Sequence, residues 1–287
     1  MSWRYRMKLP FTIDLTGKTA VITGAGGVLC SLFAEAVAAC GANVALLDLN
    51  EDAALNAAGS ISGKGYTAKG YRCDVLSRES LEECLAKIRA ELGDCDILIN
   101  GAGGNSPLAT TGMEYYEPGM ADDSLKTFFD LDASGVEFVF NLNFLGTLLP
   151  TQVFAEQMVK KDAAAIINIS SMNAYCPLTK IPAYSGAKAA VSNFTQWLAV
   201  HFSKTGIRVN AIAPGFFVTN QNRDLLFNKD GSPTARAGKI LAATPMGRFG
   251  EADELLGALL WLLSESSGFV NGIVVPVDGG FSAYSGV

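Results

Sequence analysis

The 287 residues are 49% hydrophobic and 17% charged, with a formal net charge of -6. That length can bury a large core, and the negative balance argues against nucleic acid or an anionic membrane as partner, since both reward a basic patch. The six cysteines, at 30, 40, 73, 84, 95 and 176, show no Cys-x-x-Cys pair and no histidine at metal-ligand spacing, so they read as reduced, buried residues rather than a disulfide framework or a metal site.

The opening MSWRYRMKLPFTIDL has basic residues but no apolar core of a signal peptide, and the expected location is the cytoplasm. Strand patterns fall near 18–23, 43–48, 66–71, 96–100, 165–170, 207–213 and 273–277. Helical patterns fall near 27–40, 51–62, 77–92, 134–160, 182–204 and 251–264. This alternation predicts an α/β fold, a single Rossmann-type doubly wound parallel sheet of about seven strands with helices on both faces, covering 1–287 as one domain.

The first strand breaks into Gly24-Ala-Gly26-Gly27 and then into helix. A buried strand, a glycine turn and a helix start bring backbone N–H groups and the positive helix end together, a site for a pyrophosphate. The backbone from Gly24 through Gly26, Gly27, Val28 and Leu29 is the candidate cradle. The second strand ends in Asp48, 22 residues beyond Gly26. A carboxylate there accepts the ribose hydroxyls of NAD and repels the extra phosphate of NADP. NAD is the expected cofactor, with NADP tolerance left open.

Tyr184-Ser-Gly-Ala-Lys188 follows Ser171 by thirteen residues. Residues four apart on a helix share a face, so a phenol and an ammonium point into one site. A phenol titrates near pKa ~10, and bringing it to neutral pH takes roughly 4 kcal/mol of differential interaction. A nearby cation is expected to supply part of that.

Two stretches interrupt the alternation. Residues 105–123, after the fourth strand, are polar and punctuated by glycine and proline, and they lie where open α/β sheets bind ligands. Residues 216–248 follow Pro214-Gly215 and are expected to fold into one or two short helices forming a lid.

These residues resemble the short-chain dehydrogenase/reductase family from about Leu15 to Gly280. The ordered matches are Thr23-Gly24, Asp48, Asp74-Val75, Asn100-Gly101-Ala102-Gly103, Asn143, Ser171, Tyr184, Lys188, Asn210, Pro214-Gly215 and Thr219. The resemblance implies strand order 3-2-1-4-5-6-7 and NAD(P)-linked oxidoreduction at a CH–OH carbon. It also implies Asp74 and Val75 at the adenine, Asn100, Ala102 and Gly103 under the ribose, and Pro214, Gly215, Phe217 and Thr219 around the nicotinamide.

Asn143, Ser171, Tyr184 and Lys188 match the family's catalytic tetrad. Tyr184 would be the general acid/base and Ser171 would orient the carbonyl. Lys188 would hold the ribose and lower the phenol's pKa, and Asn143 would anchor a water leading from Lys188 to solvent. The chain departs from the family at the glycine turn, where Val28 and Cys30 replace glycines. A small backbone shift at Val28 and tighter helix-to-sheet packing at Cys30 are expected.

The stretches 128–132, 139–146, 171–174, 177–182 and 279–287 resemble the D-mannonate oxidoreductase (fructuronate reductase) branch, which points to a small-molecule sugar acid. Its carboxylate needs a cation, for which Lys180, Arg223, Arg236 and Arg248 are candidates, Lys180 and Arg223 foremost. Asn105, Ser106 and Asn173 are candidates to read hydroxyls. His201 reads as a packing or surface residue.

Two apolar helices, those of Asn143 and Tyr184, ask for a further partner. The family commonly pairs chains there, so a homotetramer is expected, with the tail 281–287 reaching a neighbouring cleft. Other readings of the chain are a dehydrogenase for another polyol, a gluconate-type acid or a 3-oxoacyl thioester, and a catalytically silent dinucleotide-binding sensor.

Overall fold

In the computed structural model, which describes residues 13–119, 125–219 and 223–286, the apolar runs become the five central strands because both of their faces find cover. The strands are β1 (Thr19–Thr23), β2 (Asn43–Asp48), β3 (Ala68–Arg72), β4 (Ile97–Asn100), β5 (Ala164–Ile169), β6 (Ile207–Pro214) and β7 (Val274–Val277). They form one parallel sheet in the order β3-β2-β1-β4-β5-β6-β7. Successive residues point to opposite faces. Ala20, Ile22, Val44, Leu46 and Ile99 therefore enter one core, and Val21, Ala45, Leu47, Leu98 and Ile166 enter the other.

The first core is covered by α1 (Val28–Ala39), α2 (Glu51–Ser62) and α9 (Leu256–Leu263). The second is covered by α3 (Arg78–Glu91), α5 (Gly146–Met158) and α6 (Pro182–His201). The edge strands behave as edges must: β3 carries Lys69 and Arg72, and β7 carries Pro276. Strand β3 starts later than the expected 66–71, because its pairing with β2 runs from Val44↔Ala68 to Asp48↔Arg72.

The helix expected over 134–160 is not continuous. It comprises α4 (Ala133–Phe140), a π turn over Asn141–Leu145, and α5. The N–H of Gly146 bonds the carbonyl of Asn141, five residues back. A π turn inserts a residue into the helical repeat and is frequent at functional sites, and here Asn143 within it is fully buried. The stretch Ala133–Met158 is long and apolar enough by composition to cross a membrane, yet half of it is buried inside the fold.

The lid segment contains α7 (Arg223–Leu226) and α8 (Ala235–Ala243). Residues 1–12 of the basic N-terminal stretch, 120–123 of the substrate loop, 220–222 of the lid and Val287 of the tail lie outside the described residues.

Candidate active site

The glycine turn joins β1 to α1 at the carboxyl edge of the sheet. Gly24 has φ +65°, a conformation in which a side chain would be strained. No side chain caps α1 and its first turn holds no acid, so its leading N–H groups are available to an anion. Gly27 caps α1, Val28 is its first residue and Leu29 its second. Asp48 closes the turn from β2: its Oδ2 accepts the Gly26 N–H at 2.9 Å and its Oδ1 the Asn50 N–H at 2.9 Å.

The cysteine that replaces a family glycine is accommodated by a neighbour. Cys30 is buried in the core under the turn, and its Sγ occupies the space that a Cβ on Gly101 would fill. Burial pushes its thiol up to about 12, so it is a packing group.

The β4 turn runs through Asn100, Gly101, Ala102 and Gly103. Thr23 Oγ1 accepts the N–H groups of Gly101 at 3.1 Å and Ala102 at 3.2 Å. Asn100 lies below, its Nδ2 donating to Thr151 and Asn168 at 2.9 Å each. Gly103 is the tightest place: a Cβ there would stand 2.6 Å from Asn143 Oδ1 and 3.1 Å from Lys188 Nζ. Asn143 clamps the same turn, with Nδ2 donating to the carbonyl of Gly104 at 2.7 Å and Oδ1 accepting its N–H at 3.3 Å. Its own carbonyl accepts the Thr147 hydroxyl at 2.8 Å.

Asp74 and Val75 follow β3. Asp74 Oδ1 accepts the Leu76 N–H at 2.9 Å, and Val75 is buried against Gly146. Pro214 ends β6, Gly215 backs onto Asp278, and Phe217 is buried in the core. Thr219 is half-buried beside them in sequence.

Pro182 opens α6, as its fixed φ favours, and the helix carries Tyr184 and Lys188 on one face. Lys188 is buried. Its Nζ donates to the Ile169 carbonyl at 2.8 Å and lies 5.7 Å from the centroid of the Tyr184 ring. Burial lowers its pKa from the usual lysine range to about 8.

Burial also raises the Tyr184 phenol, while a hydrogen bond from Ser171 acts in the opposite direction. The sequence-based expectation that Lys188 lowers the phenol's pKa is therefore corrected for the protein alone. The ammonium lies over the ring, and desolvation dominates both groups.

A cleft of about 650 Å³ opens beside Tyr184. Its walls come from the loop after β4 (Asn105, Thr110, Glu114), the approach to α6 (Leu178 to Ile181), helix α8 (Ala235, Arg236, Lys239, Ile240, Ala243), Phe216 and Phe281. Lys180 donates to the Gly112 carbonyl at 2.8 Å, and Lys239 pairs with Glu114 at 2.8 Å. Asn105 donates to Thr110 at 2.9 Å.

Other candidates stand outside this lining. Arg223 lies over the Phe227 ring at 5.6 Å, and Arg248 is held in a fork by Glu254. Ser106 caps the short turn Pro107–Ala109, and Asn173 is buried next to Ser171, to whose hydroxyl its N–H donates at 3.2 Å. His201 stacks on Trp197 at 4.6 Å. The tail folds onto its own chain, with Phe281 against Phe216 at 5.4 Å and the Ser282 N–H on Asp278 at 2.8 Å.

Sequence reasoning ranked Arg236 below Arg223 and did not single out Glu114 or Lys239. Spacing along the chain carries no sign of which lid residues face the cleft. Among the described residues, no group of three or more His, Cys, Asp and Glu could hold a metal.

The cradle fits a dinucleotide on three counts: an uncapped helix start behind Gly24, a carboxylate at the end of β2, and a Gly103 whose missing side chain lets its turn lie close against Asn143 and Lys188. The family model for short chain dehydrogenase matches residues 18–229. A solved structure from Haemophilus influenza, provisionally named a D-mannonate oxidoreductase and holding bound NAD, is 63% identical. It matches with a TM-score of 0.93 over 96% of this chain and 98% of that one.

An uncharacterised oxidoreductase of Haemophilus influenzae is 62% identical over 99% of each chain. The gluconate 5-dehydrogenase of Gluconobacter oxydans is 30% identical, over 96% of this chain and 99% of that one. On these matches and this architecture, the chain belongs to the short-chain dehydrogenase family of NAD(P)-dependent oxidoreductases.

Proposed function

We propose that this protein interconverts D-fructuronate and D-mannonate with NAD(H). The observation that carries this reading is the cleft beside Tyr184, whose walls hold Lys180, Arg236 and Lys239 against a single carboxylate, Glu114. A cleft with that excess of positive charge and with amide and hydroxyl groups at Asn105, Thr110 and Thr179 suits an anionic, polyhydroxylated ketone. The likeness to the NAD-bound Haemophilus structure supports the same branch. Asp48, aimed at the glycine turn, favours NAD over NADP.

When bound, the nicotinamide supplies or accepts the hydride, and the chain's own residues manage position and proton. Ser171 donates a hydrogen bond to the carbonyl oxygen, and Tyr184 gives that oxygen a proton during reduction and removes it during oxidation. Lys188 holds the cofactor ribose beside them. Asn143, clamped on Gly104, fixes the Gly103 turn beside the ammonium. Asp74, Val75, Asn100 and Ala102 frame the adenosine end, and Pro214, Gly215, Phe217 and Thr219 frame the nicotinamide end.

Apolar Trp197 and Val200, exposed on α6, with Phe138 and Phe140 on α4, support a homotetramer. The composition supports a cytoplasmic enzyme. A second reading, a gluconate-type acid, is favoured by the gluconate 5-dehydrogenase match.

The test is NADH and NADPH oxidation by the purified protein with D-fructuronate, 5-ketogluconate and an acetoacetyl thioester. Turnover is expected with NADH on fructuronate and is expected to fall by about a hundredfold or more in Tyr184→Phe, as loss of a positioned general acid requires. Turnover of 5-ketogluconate alone would move the substrate to the gluconate series.

A further inference from the structure

We infer that Arg236 is the group that binds the substrate's carboxylate, an assignment that rests on the sugar-acid reading above. The argument turns on what each cation near the cleft already holds. The charge of Lys239 is matched by Glu114 at 2.8 Å. Arg248 is forked onto Glu254, and Arg223 lies on Phe227 outside the cleft lining. Lys180 donates to the carbonyl of Gly112, which directs its ammonium toward the loop after β4.

Arg236 lines the cleft, is exposed, and has no hydrogen-bond or ion-pair partner among the described residues. A planar guanidinium offers two parallel N–H donors to a carboxylate, which an ammonium cannot do.

Its placement is secured by the local structure. Thr234 caps α8 by accepting the Ala237 N–H, so Arg236 is the second residue of the helix, where its charge adds to the positive helix end. Ala237 and Ile240 pack α8 against Leu226, and Ile240, one turn on from Arg236, also reaches the cleft wall. The Glu114–Lys239 pair then ties the helix to the loop after β4 across the cleft. The guanidinium is thus carried on a braced element that faces the same space as Tyr184.

The contrast that isolates this role is D-fructuronate against D-fructose, which has a hydroxymethyl group where fructuronate has its carboxylate. Steady-state constants with NADH are measured for the wild type, Arg236→Gln and Arg236→Lys, and NADH binding is followed by fluorescence. In Arg236→Gln the KM for fructuronate is expected to rise about ten- to hundredfold, the worth of a charge-assisted hydrogen bond. The kcat is expected to change far less, the KM for fructose to rise far less, and Arg236→Lys to recover part of the loss.

An unchanged fructuronate KM, or a rise in the same proportion for both ketones, overturns the assignment while the sugar-acid reading stands. Loss of NADH binding in both variants would show that Arg236 only holds the lid together, and it also overturns the assignment. A wild type that reduces fructose and no sugar acid overturns the reading itself.

Discussion

At Lys188 the surroundings of one ammonium set a measurable pH dependence. Burial lowers its pKa to about 8, against 10.5 when free. Between those values the unfolded chain keeps a proton that the folded chain has shed, so stability rises with pH there. Below pH 8 both states are protonated and the cost of burying the charge is present in full.

We expect the unfolding free energy of the cofactor-free wild type, relative to Lys188→Met, to gain roughly 2 kcal/mol between pH 8 and pH 9.5, below the tyrosine range. Denaturant titrations at the two pH values measure it. A flat difference would mean that the ammonium is better solvated than its burial implies. The tyrosine-to-lysine spacing was plain in the sequence because helix geometry alone fixes it. The sign of the electrostatic effect was not, because desolvation depends on β5 and the Gly103 turn, which come from elsewhere in the chain.

Among the elements, α1 packs on β4 through an exchange of volumes. The sulfur of Cys30 fills the place that Gly101 leaves empty, while Thr23 O stands 2.9 Å from where a Cβ would be. Gly101→Ala is expected to destabilise by about 1–3 kcal/mol through overpacking. Adding Cys30→Ala should return part of that loss, with the remainder left by the Thr23 carbonyl. Equal midpoints for the single and double variants in urea unfolding would mean that the sulfur is not the obstacle.

The departure at position 30 was visible in the sequence as a misfit, whereas its remedy was not, since residues 30 and 101 belong to different elements. The same holds for the π turn. Its apolar helix pattern was legible, but the extra residue that turns Asn143 inward is fixed by the clamp on Gly104.

For the whole molecule, the exposed apolar residues of α4 and α6 lie on helices whose other faces are already buried, that of α6 against the sheet and that of α4 against α6 and the loop after β4. If four chains assemble through them, light scattering of the wild type should give a four-chain particle, and Trp197→Asp with Val200→Asp should give smaller species. A monomeric wild type would remove the assembly from the proposal.

Seven strand patterns, five of them buried apolar runs, a glycine turn before a helix, an acid at the end of β2 and a tyrosine four residues before a lysine are features of neighbouring residues. Strand alternation and the helical repeat convert them directly into a sheet, a cradle and a shared face. These the sequence determined by itself. Tertiary structure alone decided that Arg236 faces the cleft while Arg223 and Arg248 do not, that Glu114 meets Lys239 across it, and that burial governs Tyr184 and Lys188. Such contacts join residues far apart in the chain, and their partners, charges and exposure exist only once the sheet and its covering helices have packed.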